Sequence, residues 1–177
     1  MKPTPNPSYN RPVMHRRHFL LSTAGLAAAA GSLSGWRLAH GAHYAVVHSD
    51  AVWQRMLAPA RYAILREGST EMPFSSPLLH EKRTGIFVCA GCELALFSSA
   101  TKFDSGTGWP SFWAPLPHAV DTRRDASFGM VRTEVLCAGC GSHLGHVFHD
   151  GPPPTGLRYC MNGLALSFRP TPGAQGT

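Results

Sequence analysis

Two C-x-G-C pairs, Cys89-Ala-Gly-Cys92 and Cys137-Ala-Gly-Cys140, constrain this chain more than any other feature, and they leave a fifth cysteine, Cys160, without a partner. A two-residue spacer lets both sulfurs of a tight turn point at one ion, and Gly91 and Gly139 are expected to free the backbone for that turn. Two such knuckles suggest tetrahedral zinc held by Cys89, Cys92, Cys137 and Cys140. That ion would be structural, because four thiolates leave no open coordination position. Two rivals stay open: the pairs as disulfides or redox dithiols, or a metal held by Cys137, Cys140, His143 and His146. The duplicated C-x-G-C favours the four-cysteine site.

The 177 residues allow one domain with an ample core. Eighteen glycines and fifteen prolines point to many turns and short strands rather than a helical bundle. Asp50 onward predicts a helical start, with Ser49 as its cap, an interruption at Pro59 and an end at Gly68. Gly85–Cys89, Gly129–Leu136 and Leu157–Phe168 are the best strand candidates, and Asp150–Gly156, with three prolines, is a loop. The expected architecture is mainly β and antiparallel, behind a short helical N-terminal segment.

A formal charge of +6 invites a nucleic-acid reading, but Lys2, Arg11, Arg16, Arg17 and Arg37 all lie before residue 43, where no acid occurs. The remainder is close to neutral, which argues against nucleic acid as a partner. Arg16 and Arg17 precede a mildly apolar Ala/Gly/Leu run and then small residues near Gly41 and Ala42. That layout is expected of a cleaved twin-arginine-type signal over residues 1–42 and a periplasmic location. Glycine and serine interrupt the run, which falls short of the roughly 20 apolar residues that span a bilayer, so stable membrane insertion is not expected.

Period two along a strand from Arg158 to Phe168 would put Arg158, Cys160, Asn162, Leu164, Leu166 and Phe168 on one face. An arginine beside a thiol favours the thiolate, the nucleophilic form. The plain alternative is a small buried hydrophobe, common for free cysteine. Just upstream, His143, His146, His149 and Asp150 crowd a short stretch, which suggests acid/base chemistry beside the thiol. Ser105–Trp113 (SGTGWPSFW) adds glycine-flanked aromatics, of which Phe112 and Trp113 are read as core.

Read together, CxGC, SGTGWPSFW and CxGCGSHLGHVFHDGPxPTGLRYCMN, in this order, resemble the methionine-R-sulfoxide reductases (MsrB) from about Ser49 to Phe168. The resemblance implies a two-sheet antiparallel β fold with a four-cysteine zinc site away from the active site. It also implies stereospecific reduction of the R epimer of methionine sulfoxide in oxidised proteins. Cys160 matches the nucleophile, which would be left as a sulfenic acid. His143, His146, Asp150, Arg158 and Asn162 match the group that binds and protonates the sulfoxide oxygen and activates the thiol, with His146 the candidate proton donor. Trp109 matches the aromatic wall for the S-methyl group. The catalytic domain is expected over 43–169, with a flexible tail at 170–177, and nothing demands more than a monomer.

Three positions depart from the family pattern. Thr107 stands where many members carry a resolving cysteine, which implies a one-cysteine enzyme regenerated by an external thiol or thioredoxin-like reductant. Gly163 follows Asn162 where the family has serine, a change expected to loosen local packing. His149 has no family role. The alternative to an enzyme is a non-catalytic zinc-binding interaction module, which would be indifferent to loss of the Cys160 thiol.

Overall fold

The computed structural model describes residues 44–172, so the signal reading of residues 1–42 lies outside them. Two short helices open the described chain, α1 (Asp50–Met56) and α2 (Pro59–Glu67). Proline at the first position of α2 ends one helix and starts the next, because it lacks an N–H but its φ suits a first turn. Ser49 holds the N-cap position, yet its hydroxyl caps nothing; its carbonyl accepts from the Val52 and Trp53 amides instead. Trp53, Ile64 and Leu65 turn into the core. Arg66 crosses the Trp53 ring at 5.1 Å and donates to the Cys140 carbonyl at 3.3 Å, which ties α2 to the second cysteine knuckle.

Among the described residues nine strands follow: β1 (Gly85–Cys89), β2 (Ala95–Ser98), β3 (Lys102–Phe103), β4 (Ser111–Phe112), β5 (Val120–Asp125), β6 (Arg132–Cys137), β7 (His143–Phe148), β8 (Arg158–Met161) and β9 (Leu166–Pro170). They form two sheets, β2-β1-β9 and β3-β4-β8-β7-β6-β5, with every described pairing antiparallel. The sheets meet through aromatic rings: Phe97 stacks on Phe112 at 4.4 Å, and Phe87 meets Phe112 edge-on at 4.9 Å. Such pairs add to simple area burial. The mainly β, two-sheet architecture with short helices is the one the sequence predicts. No helix among the described residues is long and apolar enough to cross a membrane.

Three local expectations are corrected. The stretch Leu157–Phe168 is not one strand, because a 3-10 turn at Gly163–Ala165 separates β8 from β9 and sends them to different sheets. Period two therefore stops at Met161, and Leu164, Leu166 and Phe168 do not continue the face of Cys160. The Gly129–Leu136 strand starts later, at Arg132, because Ser127–Gly129 form a 3-10 turn. At the other end β9 reaches Pro170, and the Thr171 amide bonds the Thr84 carbonyl at 3.0 Å, two residues into the stretch read as tail.

Candidate functional site

The four paired cysteines converge. Cys89 and Cys137 end β1 and β6, Cys92 and Cys140 lie in the following turns, and all four sulfurs fall within 4.8 Å of one another. Cys89 Sγ and Cys140 Sγ are 3.8 Å apart, and Cys92 Sγ and Cys137 Sγ are 3.5 Å apart. Both distances are far beyond the roughly 2.05 Å of a disulfide. Sulfurs placed about 2.3 Å from a central ion would form a tetrahedron with edges of about 3.8 Å. The donor set thus fits a four-thiolate metal ion. It sets aside the disulfide reading and the mixed Cys/His site, since His143 and His146 are bonded elsewhere.

The reason for the knuckle glycines is corrected as well. Positive φ falls on Glu93 and Gly141, just after each pair, not on Gly91 or Gly139. Gly139 is needed for room, since a Cβ there would sit 3.2 Å from Cys92 Sγ.

Cys160 lies between two strands in the longer sheet, opposite Ser111 of β4 on one side and His146 of β7 on the other. A cavity of about 120 Å³ opens over it, lined by Thr70, Trp109, Arg132, Gly145, His146, Phe148, Cys160 and Asn162. Of the residues expected from sequence, Cys160, His146, Asn162 and Trp109 come together here. His143, Asp150 and Arg158 do not line it; His143 meets His146, Arg158 meets Phe148, and Asp150 stands behind Arg158.

A bulge creates this arrangement. Residues three apart on a regular strand face opposite sides, yet the His143 and His146 rings meet edge-on at 5.5 Å. The register pairs Val135 with Gly145 but Leu136 with His143, so Leu144 is an extra residue that turns both imidazoles to one side. Gly145 is forced by crowding, since a Cβ there would overlap the Cys160 carbonyl.

Carboxylates from neighbouring strands then fix each ring. His143 Nδ1 pairs with Glu134 Oε1 at 2.8 Å, and Glu134 is held in turn by Arg123 Nε at 2.9 Å. His146 Nε2 pairs with Asp125 Oδ2 at 2.8 Å, which also accepts from Arg132 at 2.7 Å. Burial keeps the His143 ring below the ordinary histidine pKa despite Glu134, so it sits neutral. Asp150 takes Arg158 in a two-point grip (2.9 and 2.8 Å), and the guanidinium lies 4.5 Å over the Phe148 ring. Arg158 therefore braces a pocket wall, and Arg132, which no sequence motif marks, is the cation that lines the cavity.

The Cys160 thiol is pushed up by burial, opposed first by the Thr107 hydroxyl and then by the Arg158 charge. Thr107 Oγ1 stands 3.8 Å from Cys160 Sγ and begins a hydroxyl chain through Ser105 to Ser111, each link 2.8 Å. The sequence reading that arginine sets the thiol's ionisation is thus incomplete, because desolvation outweighs it. Asp125, Glu134, Arg132 and Thr70 escaped that reading, since each is a single residue without local spacing to mark it. His149 is exposed. Chemically, the cavity offers a thiol, an imidazole held by a carboxylate, an amide and two aromatic walls, a set suited to a small polar group carrying an apolar substituent.

The SelR domain family matches residues 57–170 of the chain. The chain is 58% identical over 126 residues to the peptide methionine sulfoxide reductase MsrB of Bradyrhizobium diazoefficiens, covering 71% of this chain and 91% of that protein. It is 56% identical over 123 residues to the protein of the same description from Agrobacterium fabrum (69% and 91% covered). It is 52% identical over 128 residues to that from Leptospira interrogans (72% and 98% covered).

Proposed function

The chain belongs to the MsrB family of peptide methionine sulfoxide reductases, and from that premise we propose that it reduces methionine-R-sulfoxide in oxidised proteins to methionine through Cys160. The observation that carries this reading is the convergence of Cys160, His146, Asn162 and Trp109 on one small cavity.

In this reading the sulfoxide's S-methyl group lies against Trp109 and Phe148, and its oxygen faces His146 and Asn162. Asn162 Nδ2 donates to the Leu144 carbonyl at 3.2 Å and faces His143 Nε2 at 3.5 Å, contacts that fix the amide in the pocket wall. Cys160 reacts as the thiolate, and its Sγ attacks the sulfoxide sulfur. His146 supplies the proton that makes the oxygen a better leaving group. Thiolate, sulfoxide and one proton become thioether and Cys160 sulfenic acid: the substrate sulfur gains two electrons and Cys160 loses two. Two external thiols, or one dithiol of a thioredoxin-like partner, then restore the Cys160 thiol, forming one disulfide and one water. With Thr107 beside Cys160 and the other four sulfurs gathered together, we read this as a one-cysteine enzyme.

Zinc would be held by Cys89, Cys92, Cys137 and Cys140, where it cross-links the two knuckles and leaves the chemistry to Cys160. The twin arginines Arg16 and Arg17 support export to the periplasm as a folded, metallated chain.

The test is turnover of the two separated epimers of a peptide methionine sulfoxide by zinc-loaded protein with dithiothreitol. The R epimer alone is expected to be converted, and Cys160→Ser is expected to abolish conversion. Conversion of neither epimer by the wild type refutes the reading.

A further inference from the structure

Asn162 occupies the N-cap of the Gly163–Ala165 turn, with backbone angles φ −63° and ψ 127°, yet its side chain caps nothing. The first amides of such a turn lack partners within it, and an asparagine at that position ordinarily accepts from them. Here the buried carboxylate of Glu71 takes that place, accepting from the Gly163 N–H through Oε1 and from the Leu164 N–H through Oε2 at 2.9 Å. Released from capping, the Asn162 side chain is buried in the wall of the pocket. Its Oδ1 accepts from the Glu71 N–H at 3.1 Å, and its Nδ2 donates to the Leu144 carbonyl at 3.2 Å and faces His143 Nε2 at 3.5 Å. The carbonyl of the same Glu71 accepts from Trp109 Nε1 at 3.2 Å. One residue thus grips the amide and the aromatic wall of the pocket while lying outside the pocket lining.

Gly163 belongs to this arrangement. A Cβ there would overlap Ser76 Oγ and lie 3.1 Å from Glu71 Oε1. Ser76 is buried and its Oγ accepts from the Leu78 N–H at 3.2 Å, so it fills the space a side chain at 163 would need. The departure from the family's serine is packed, not loosened.

The geometry points to Glu71 as a positioning residue of the reaction, whose carboxylate caps the turn after Asn162 so that the Asn162 amide stays in the pocket wall, held against Leu144 and His143. This deepens the reductase reading and rests on it. Without the carboxylate, Asn162 is the nearest alternative cap and turns away from the pocket.

The experiment is a double-mutant cycle in zinc-loaded full chain, with peptide methionine-R-sulfoxide and dithiothreitol. Glu71→Ala is expected to lower kcat/KM at least about tenfold in the wild-type background but by less than about threefold when Asn162 is already alanine. Glu71→Gln, which keeps the shape and one acceptor, is expected to lose an intermediate factor that also vanishes in the Asn162→Ala background. It serves if Glu71→Ala does not fold. Independently of activity, the Asn162 side-chain amide resonance, identified by its absence from Asn162→Ala, is expected to shift and exchange faster in both Glu71 variants. Equal losses in both backgrounds, or an unmoved Asn162 resonance, overturn the assignment. A wild type inert toward both epimers sinks the reductase reading instead, and the resonance still decides the role of Glu71.

Discussion

His146 Nε2 lies 2.8 Å from Asp125 Oδ2, although β6 runs between the strands that carry them. Hydrogen bonds from Ser127, then from His146 and Arg132, hold the Asp125 carboxyl well below its usual range, so it is a carboxylate at any working pH. A fixed anion behind an imidazole orients the ring, which in the proposed reaction would give a proton to the sulfoxide oxygen.

Replacing Asp125 by asparagine keeps the shape but removes that anion. The expected result is a fall in kcat/KM of about 10- to 100-fold with zinc content unchanged. Activity within about twofold of wild type would show that His146 needs no carboxylate.

Because burial holds the Cys160 thiol above the ordinary cysteine range, little of it is ionised at neutral pH. Alkylation of Cys160 by iodoacetamide is therefore expected to accelerate about tenfold per pH unit from 7 upward, with its inflection above the free-thiol value of about 8.5. Thr107→Val removes the nearest hydroxyl and is expected to shift the profile further up. A plateau below pH 8 would contradict the balance of burial and partners described above.

Thr107 supports a gain-of-function test. With its Oγ1 3.8 Å from Cys160 Sγ, a thiol introduced at this position is placed to capture the sulfenic acid. After one turnover without reductant, Thr107→Cys is expected to carry a disulfide joining the introduced thiol to Cys160 by peptide mapping, whereas the wild type carries none. Absence of that disulfide in an active variant would mean the two side chains cannot meet.

The cysteine knuckles and the thiol site differ in what they ask of the sequence. Spacing alone marks C-x-G-C, because both ligands of a pair sit in one turn. Gly85–Cys89 is legible as a strand because its apolar run is continuous. The meeting of Cys160, His146, Asn162 and Trp109 is reached through a long family string, not through periodicity. The bulge at Leu144 is set by pairing with β6, a non-local event that period-two reasoning cannot place. Asp125, Glu134 and Arg132 reach the histidines only through strand order. Glu71 reaches Gly163 from 92 residues away in the chain, and its carboxylate accepts from the first amides of the turn after Asn162.

Metal removal separates the two sites by function. Stripping zinc is expected to lower Tm by about 10 °C or more, since an ion on the four thiolates would tie the ends of β1 and β6 together. Cys92→Ser is expected to do the same without touching the Cys160 pocket. An unchanged Tm after proven metal loss would show that the cluster contributes no fold stability.

The central claim, oxygen transfer to Cys160, is tested most directly by a single turnover without reductant, in the presence of a sulfenic-acid trap and followed by peptide mapping. The account predicts about one methionine released per chain and the trapped adduct on Cys160 alone. Methionine formation with no adduct on Cys160, or undiminished formation by Cys160→Ser, would contradict it.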